Sequence, residues 1–250
     1  MLPARSRLGL LLLGALLALV LYVLLPATRH GQHSAGARPE EGERGRWAAN
    51  ATVRRGMAAG EPPVFYREVS SGPLDTYGPD VLFLHGQAFT SKTWEALGTL
   101  ALLAGEGYRA VAIDLPGRTV MVASAQGRVA FLDHVLQELG MQRPVLVSPS
   151  MSGRFALPFL LARGDRLAGF VPIAPVGTKD YTAEQYQQVQ TPTLILYGDR
   201  DKHLGLQALQ SLQHLPRHRV AVVPDAGHAC YLDKPEDFHR ALLGFLHQLK

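Results

Sequence analysis

Short apolar runs recur along this chain, and each closes on a polar or glycine-bearing segment. Val81-Leu82-Phe83-Leu84 leads into His85-Gly86-Gln87-Ala88-Phe89, and Ala110–Leu115 leads into Pro116-Gly117-Arg118. Val145-Leu146-Val147 leads into Ser148-Pro149-Ser150-Met151-Ser152-Gly153. Thr193–Tyr197 leads into Gly198-Asp199-Arg200-Asp201, and Val220–Val223 into Pro224-Asp225-Ala226-Gly227-His228. Within these runs apolar residues follow one another instead of alternating, which marks strands buried on both faces. Val64–Val69 and Phe170–Ala174 read as two further strands. Helical spacing fills the intervals: Ser91–Ala104, Ala130–Leu139, Phe155–Leu161, Leu204–Leu215 and Pro235–Leu249. Strands separated by helices require right-handed crossovers, hence a mostly parallel sheet with helices on both faces. Ligands of such sheets gather beyond the C-terminal ends of the strands. The five closing segments are therefore candidate site loops.

The serine-rich loop can be resolved further. A nucleophile on a sharp strand-to-helix turn is so crowded that the residues two before and two after it must be small. Ser148 has Leu146 two residues before it, and Ser152 has Arg154 two residues after it. Only Ser150 passes, between Ser148 and Ser152. The bland reading is a helix N-cap, which serine also favours.

A serine hydroxyl needs a base. Of the ten histidines, His228 follows an apolar run in a glycine-bearing loop and comes last in chain order, as the serine–acid–histidine order requires. His85 ends a strand, where its backbone position is the asset; His239 and His247 read as surface positions of the terminal helix. The acid that orients the imidazole is Asp201 or Asp199, with Asp225 a remote third. Asp201 is favoured because it lies deeper in its loop, while Asp199 suits a turn cap or a pair with Arg200. Two backbone donors would hold an oxyanion: the amide of Met151, just after the serine, and that of Gln87, after the strand ending at Leu84.

Charge and composition close other routes. The calculated pI is about 9.3. Residues 1–60 carry eight Arg and three Glu, a net of +5, so the remaining residues carry a net of −1 out of the total of +4. No basic stripe marks the remainder, which argues against a nucleic-acid partner. The single cysteine, Cys230, forms no intrachain disulfide and no cysteine-based zinc site, and reads as a small core residue. HExxH, GxxxxGK[ST] and GxGxxG are absent, so no metal, P-loop or dinucleotide site is expected.

The N-terminus reads differently. After a tail at 1–7, Leu8–Leu25 is an 18-residue uncharged run preceded by Arg5 and Arg7. It meets the lower length limit for a membrane-spanning helix and exceeds the usual apolar core of a signal peptide. A signal anchor at 8–25 is expected, followed by a flexible tether at 26–63 and a folded domain at 64–250. Asn50-Ala51-Thr52 is a glycosylation acceptor pattern. It favours a type II protein of the secretory-pathway membranes with a lumenal C-terminal domain.

In their order along the chain, LFLHG, AIDLPG, SPSMSG, LYGDRD and AGHACYLDKP resemble an α/β-hydrolase. SPSMSG, with FVPIAP and AGHACYLDKP, is similar more narrowly to the α/β-hydrolase domain-containing protein 14 group. The N-terminal apolar run is similar to the anchor of its membrane-bound form. The resemblance covers about residues 64–250. It implies Ser150 as nucleophile, Asp201 as acid and His228 as base. It implies hydrolysis of small ester or acyl substrates without a cofactor, with acyl transfer to an acceptor such as coenzyme A in soluble relatives. The usual second glycine of the Asp-Leu-Pro-Gly turn is missing after Gly117, which alters the floor of the pocket. The 17 residues from Pro175 to Thr191 are too few for a multi-helix lid, leaving the site open or covered in part by Tyr181 and Tyr186. The competing expectation is an interaction module that keeps this fold without catalysis.

Overall fold

The computed structural model describes residues 52–70, 78–116 and 124–249. The expected anchor, most of the tether, Asn50 and Ala51 of the acceptor triplet and residues 117–123 lie outside the described residues. Among the described residues no helix is long and apolar enough to cross a membrane.

Eight strands form one sheet among the described residues: β1 (Arg54–Ala58), β2 (Val64–Val69), β3 (Val81–Phe83), β4 (Ala110–Ile113), β5 (Val145–Pro149), β6 (Gly169–Ile173), β7 (Thr193–Gly198) and β8 (His218–Val223). Their spatial order is β1-β2-β4-β3-β5-β6-β7-β8. β1, β2 and β4 are joined by antiparallel pairs, and the strands from β4 onward run parallel. Helices α1 (Lys92–Ala96), α2 (Thr99–Gly105), α7 (Cys230–Asp233) and α8 (Pro235–Leu246) cover one face. Helices α3 (Ala125–Glu138), α4 (Gly153–Arg163), α5 (Ala183–Gln187) and α6 (Leu204–Leu212) cover the other. Each central strand feeds both layers. Leu82 and Leu146 join the core beneath α3 and α4, while Phe83, Val145 and Val147 join the one beneath α2 and α8. Full burial of such side chains contributes roughly 1.5–3 kcal/mol each, so the continuous apolar runs hold the layers together.

Four expectations need correction. First, the sheet begins at Arg54, inside the expected tether. Arg54 pairs with Glu68 and Ala58 with Val64. Gly56 lets the Tyr66 side chain lie across the strand, because a Cβ there would come 2.5 Å from the Tyr66 hydroxyl. Second, the helix expected over Ser91–Ala104 is two helices, broken at Gly98, whose φ of 73° is a left-handed conformation that suits glycine. Third, β8 is not buried on both faces. It is the sheet's edge, and its Val220 and Val222 are exposed. α3 also starts five residues earlier than its apolar pattern suggests, because the Ser124 hydroxyl accepts the Gly127 amide and caps it.

Candidate active site

β5 ends at Pro149 and hands over directly to a 3-10 turn, Ser150–Ser152, that runs into α4. Ser150 sits at the junction with φ of 50°. A non-glycine residue in this region is strained and persists only where its surroundings hold it. The two flanking serines supply that hold. Both are fully buried. The Ser152 hydroxyl donates to Pro149 O at 2.7 Å and lies 3.0 Å from Ser148 Oγ. A carbonyl can only accept, so the Ser152 proton is committed and Ser148 must be the donor to Ser152. The chain of hydroxyls therefore ties the residues on both sides of Ser150 to the carbonyl immediately before it. Gly153 completes the turn, since a Cβ there would lie 2.5 Å from Val176 O. The Val176 amide in turn donates to Ser150 O at 2.9 Å.

The loop after β8 brings His228 to Ser150, with Nε2 2.8 Å from Oγ. Its Nδ1 lies 2.6 Å from Asp201 Oδ2. An ionised carboxylate only accepts, so the proton is on Nδ1 and Nε2 is free to accept from the serine. Asp201 is buried, whereas the His228 side chain is 42% exposed. The structure thus brings together the three side chains expected from the sequence.

Gly198 at the end of β7 allows this approach. A Cβ there would collide with the carbonyls of Ala226 and Gly227, so the His228 loop crosses directly over the glycine. Asp199 anchors the crossing: its Oδ1 accepts the Ala226 amide at 3.3 Å. It therefore fixes the turn, and Arg200 pairs with Asp225 instead, at 2.6 Å. Asp233 also holds the loop, accepting the Gly227 amide at 2.7 Å. Neither Gly198 nor Asp233 was singled out from the sequence. A glycine at the last position of a strand, followed by two acids, was the available signal for the first.

The loop after β3 forms a tight turn in which Phe89 N–H donates to Gly86 O at 3.1 Å, with Gln87 and Ala88 at its centre. Gly86 borders Ser150, since a Cβ built on it would lie 3.7 Å from Ser150 Cβ. His85 is a buried latch. Its Nε2 accepts the Leu115 amide at 2.9 Å, which leaves Nδ1–H to donate to Gly86 O at 2.8 Å. This fastens the turn to the end of β4. Met151 is the second residue of the turn that starts at Ser150, and Gln87 is the second of the turn that starts at Gly86.

Two neighbours take no part in this arrangement. Cys230 is fully buried, and burial pushes its thiol up to about 12, so it stays protonated. Tyr186 does not cover the site. It is buried, and its hydroxyl donates to Thr178 O at 2.8 Å. Tyr181 remains partly exposed and meets the Tyr186 ring edge-on. A hollow of about 630 Å³ lies at the opposite end of the strands, lined by Arg143, Asp165, Gln190 and Arg217 among others, away from Ser150. Among the described residues no group of His, Cys, Asp or Glu could hold a metal ion.

No protein-family model matches the chain. It is 48% identical to protein ABHD14A of Danio rerio over 98% of both chains. It is 49% identical to protein ABHD14A of Homo sapiens, covering 98% of this chain and 89% of that one. The chain belongs to the ABHD14 family of α/β-hydrolases. Within that family it is also 47% identical to ABHD14B of Rattus norvegicus, provisionally named a protein-lysine deacylase, over 74% of this chain and 91% of that one. Among solved structures, the carboxylesterase CesB of Bacillus subtilis superposes with a TM-score of 0.62 at 18% identity, over 80% of this chain and 93% of that chain. That likeness carries the fold, and the ABHD14 relatives carry the family.

Proposed function

We propose that this ABHD14-family hydrolase is a serine enzyme that cleaves small ester or acyl-amide substrates through an acyl-enzyme intermediate. The observation that carries the reading is the continuous line from Asp201 Oδ2 through His228 to Ser150 Oγ, at 2.6 and 2.8 Å, on a strained turn. Ser150 Oγ attacks the acyl carbon while His228 Nε2 takes its proton, and Asp201 stabilises the imidazolium. The amides of Met151 and Gln87 receive the developing oxyanion. His228 then protonates the leaving amine or alcohol as its bond to the acyl carbon breaks. Water, or an acceptor thiol such as that of coenzyme A, takes the acyl group from Ser150. The name of the ABHD14B relative supports acylated lysine side chains as one substrate class. The reactive serine acts without a resident cofactor in this scheme.

Fluorophosphonate labelling tests the reading. Wild type and Ser152→Ala are expected to label, and Ser150→Ala to lose labelling together with ester hydrolysis. Labelling of Ser150→Ala at the wild-type level would remove the proposed nucleophile. A folded wild type that never labels would favour an interaction module.

The uncharged run at residues 8–25 and the Asn50 triplet support a type II membrane anchor with a lumenal hydrolase domain. Glycosidase treatment of the cell-expressed protein is expected to increase its gel mobility. Identical migration of untreated wild type and Asn50→Gln would count against the lumenal placement.

A further inference from the structure

Phe89 is the aromatic residue that closes the Gly86–Phe89 turn. A Cβ built on Gly86 would lie 3.2 Å from Phe89 Cδ2 and 3.7 Å from Ser150 Cβ. The ring and the reactive serine therefore flank the same glycine. On its other side the ring meets Tyr231 edge-on, with centroids 6.3 Å apart. Tyr231 is three residues past His228 and is 2% exposed. It packs between Trp94, at 4.8 Å, and Phe238, at 6.1 Å. Trp94 is fixed in turn by donating from Nε1 to Leu84 O at 2.8 Å. Phe89 itself stays partly exposed. It is thus a ring with a rigid aromatic backing and an open side, standing between the Gly86–Phe89 turn and Tyr231 of α7.

That position selects which part of a substrate it meets. In the serine reading, the bond from Ser150 Oγ to the acyl carbon forms, and the proton moves from Oγ to His228 Nε2. The same proton then goes to the leaving nitrogen or oxygen as its bond to the acyl carbon breaks. The leaving atom must therefore lie at His228. The Phe89 ring lies beside Gly86, next to Ser150, and rests on Tyr231, three residues past His228, which sets it toward the departing side of the carbonyl in that reading. We propose that Phe89 is a specificity-determining residue that binds the apolar stem of the leaving group, such as the methylenes of an acylated lysine side chain or an aryl alcohol. An exposed aromatic face suits such stems, which bury their carbon chains while keeping the polar end in water. The inference rests on the serine-hydrolase reading and adds to it a preference on the departing side.

A crossed substrate series tests it. With acetyl held fixed, the leaving group runs from ethanol through hexanol to p-nitrophenol. With p-nitrophenol held fixed, the acyl group runs from acetyl to octanoyl. Phe89→Ala is expected to raise KM by about 5-fold for hexyl and p-nitrophenyl acetate. Ethyl acetate should change by less than about 2-fold, and the acetyl-to-octanoyl ratio should hold. Phe89→Leu, which keeps apolar bulk against Tyr231, should fall between the two and guards against a folding defect in the alanine variant. A changed acyl-length ratio with a flat leaving-group profile would overturn the proposal, as would a uniform loss across all substrates. Fluorophosphonate labelling is measured in parallel. Normal labelling with a flat profile sinks the Phe89 inference alone, while a wild type that does not label sinks the serine reading beneath it.

Discussion

At the end of the sheet where β3 and β4 begin, Arg109 uses every arm of its guanidinium. Nε donates to Glu68 at 2.6 Å, one terminal nitrogen to Asp80 at 3.1 Å, and the other to the Leu139 carbonyl at 2.9 Å. At the opposite end, where β5, β7 and β8 finish, Asp201, His228 and Ser150 form an equally short chain of hydrogen bonds. The second chain stops at a hydroxyl on a turn with φ of 50°, beside an imidazole that is 42% exposed. Every nitrogen of the guanidinium in the first cluster is engaged with a neighbour, so the cluster serves stability. In the proposed reading the second ends on an atom whose partner can be exchanged for a substrate, at the cost of a strained backbone that the Ser148–Ser152 hydroxyls hold. Similar residue types and distances thus serve opposite ends, and the open valence makes the difference.

The comparison breaks if the two clusters respond alike to substitution. Asp201→Asn should lower kcat for ester hydrolysis by about 10³–10⁴-fold, because the imidazole loses its orienting carboxylate. Asp199→Asn should cost less than about 10-fold, since Asp199 only anchors the Ala226 amide. Equal losses would return the choice between the two acids to an open question. Arg109→Met should do the reverse. It strands Glu68, whose side chain is 9% exposed, and breaking such a pair costs about 3 kcal/mol of stability. Urea titration reads that loss. The folded fraction should keep its hydrolytic rate within about 2-fold, and a large rate loss would show the two ends to be coupled.

What the sequence made legible follows the same division. Continuous apolar runs identified the parallel strands because burial on both faces is written in every residue. Ser150 was legible because crowding at the elbow is a local constraint, decided by Leu146 and Arg154. β1 was hidden: Arg-Arg-Gly-Met-Ala has no period, and it is held from outside. Arg55 and Arg67 stand directly opposite each other, and Glu95 of α1 binds both, at 2.8 and 2.6 Å. Like charges in register are destabilising until such a bridge is supplied, and no spacing in the sequence announces it. Loop depth and the fitness of Asp199 for a turn cap favour Asp201 over Asp199, but neither shows which carboxylate reaches the imidazole. The tertiary reason is that the loop crossing over Gly198 takes up Asp199 at the Ala226 amide and leaves Asp201 at His228.

His239 lies between the two extremes and sharpens the contrast. Expected on the surface of the last helix, it is partly buried, with Nε2 2.9 Å from the hydroxyl of buried Thr99. Burial lowers its pKa from 6.5 to about 4. Between those values the unfolded chain binds a proton at this histidine that the folded chain refuses. Stability therefore falls as pH drops from 6.5 toward 4, with no further loss from this group below that. His239→Gln keeps a hydrogen-bonding side chain for Thr99 and removes the titration. The difference in urea midpoint between wild type and variant should change across this window by an amount corresponding to on the order of 2 kcal/mol, in the variant's favour at low pH. A constant difference would mean that His239 is solvated enough to be protonated in place, and would separate it from the buried charges around Arg109.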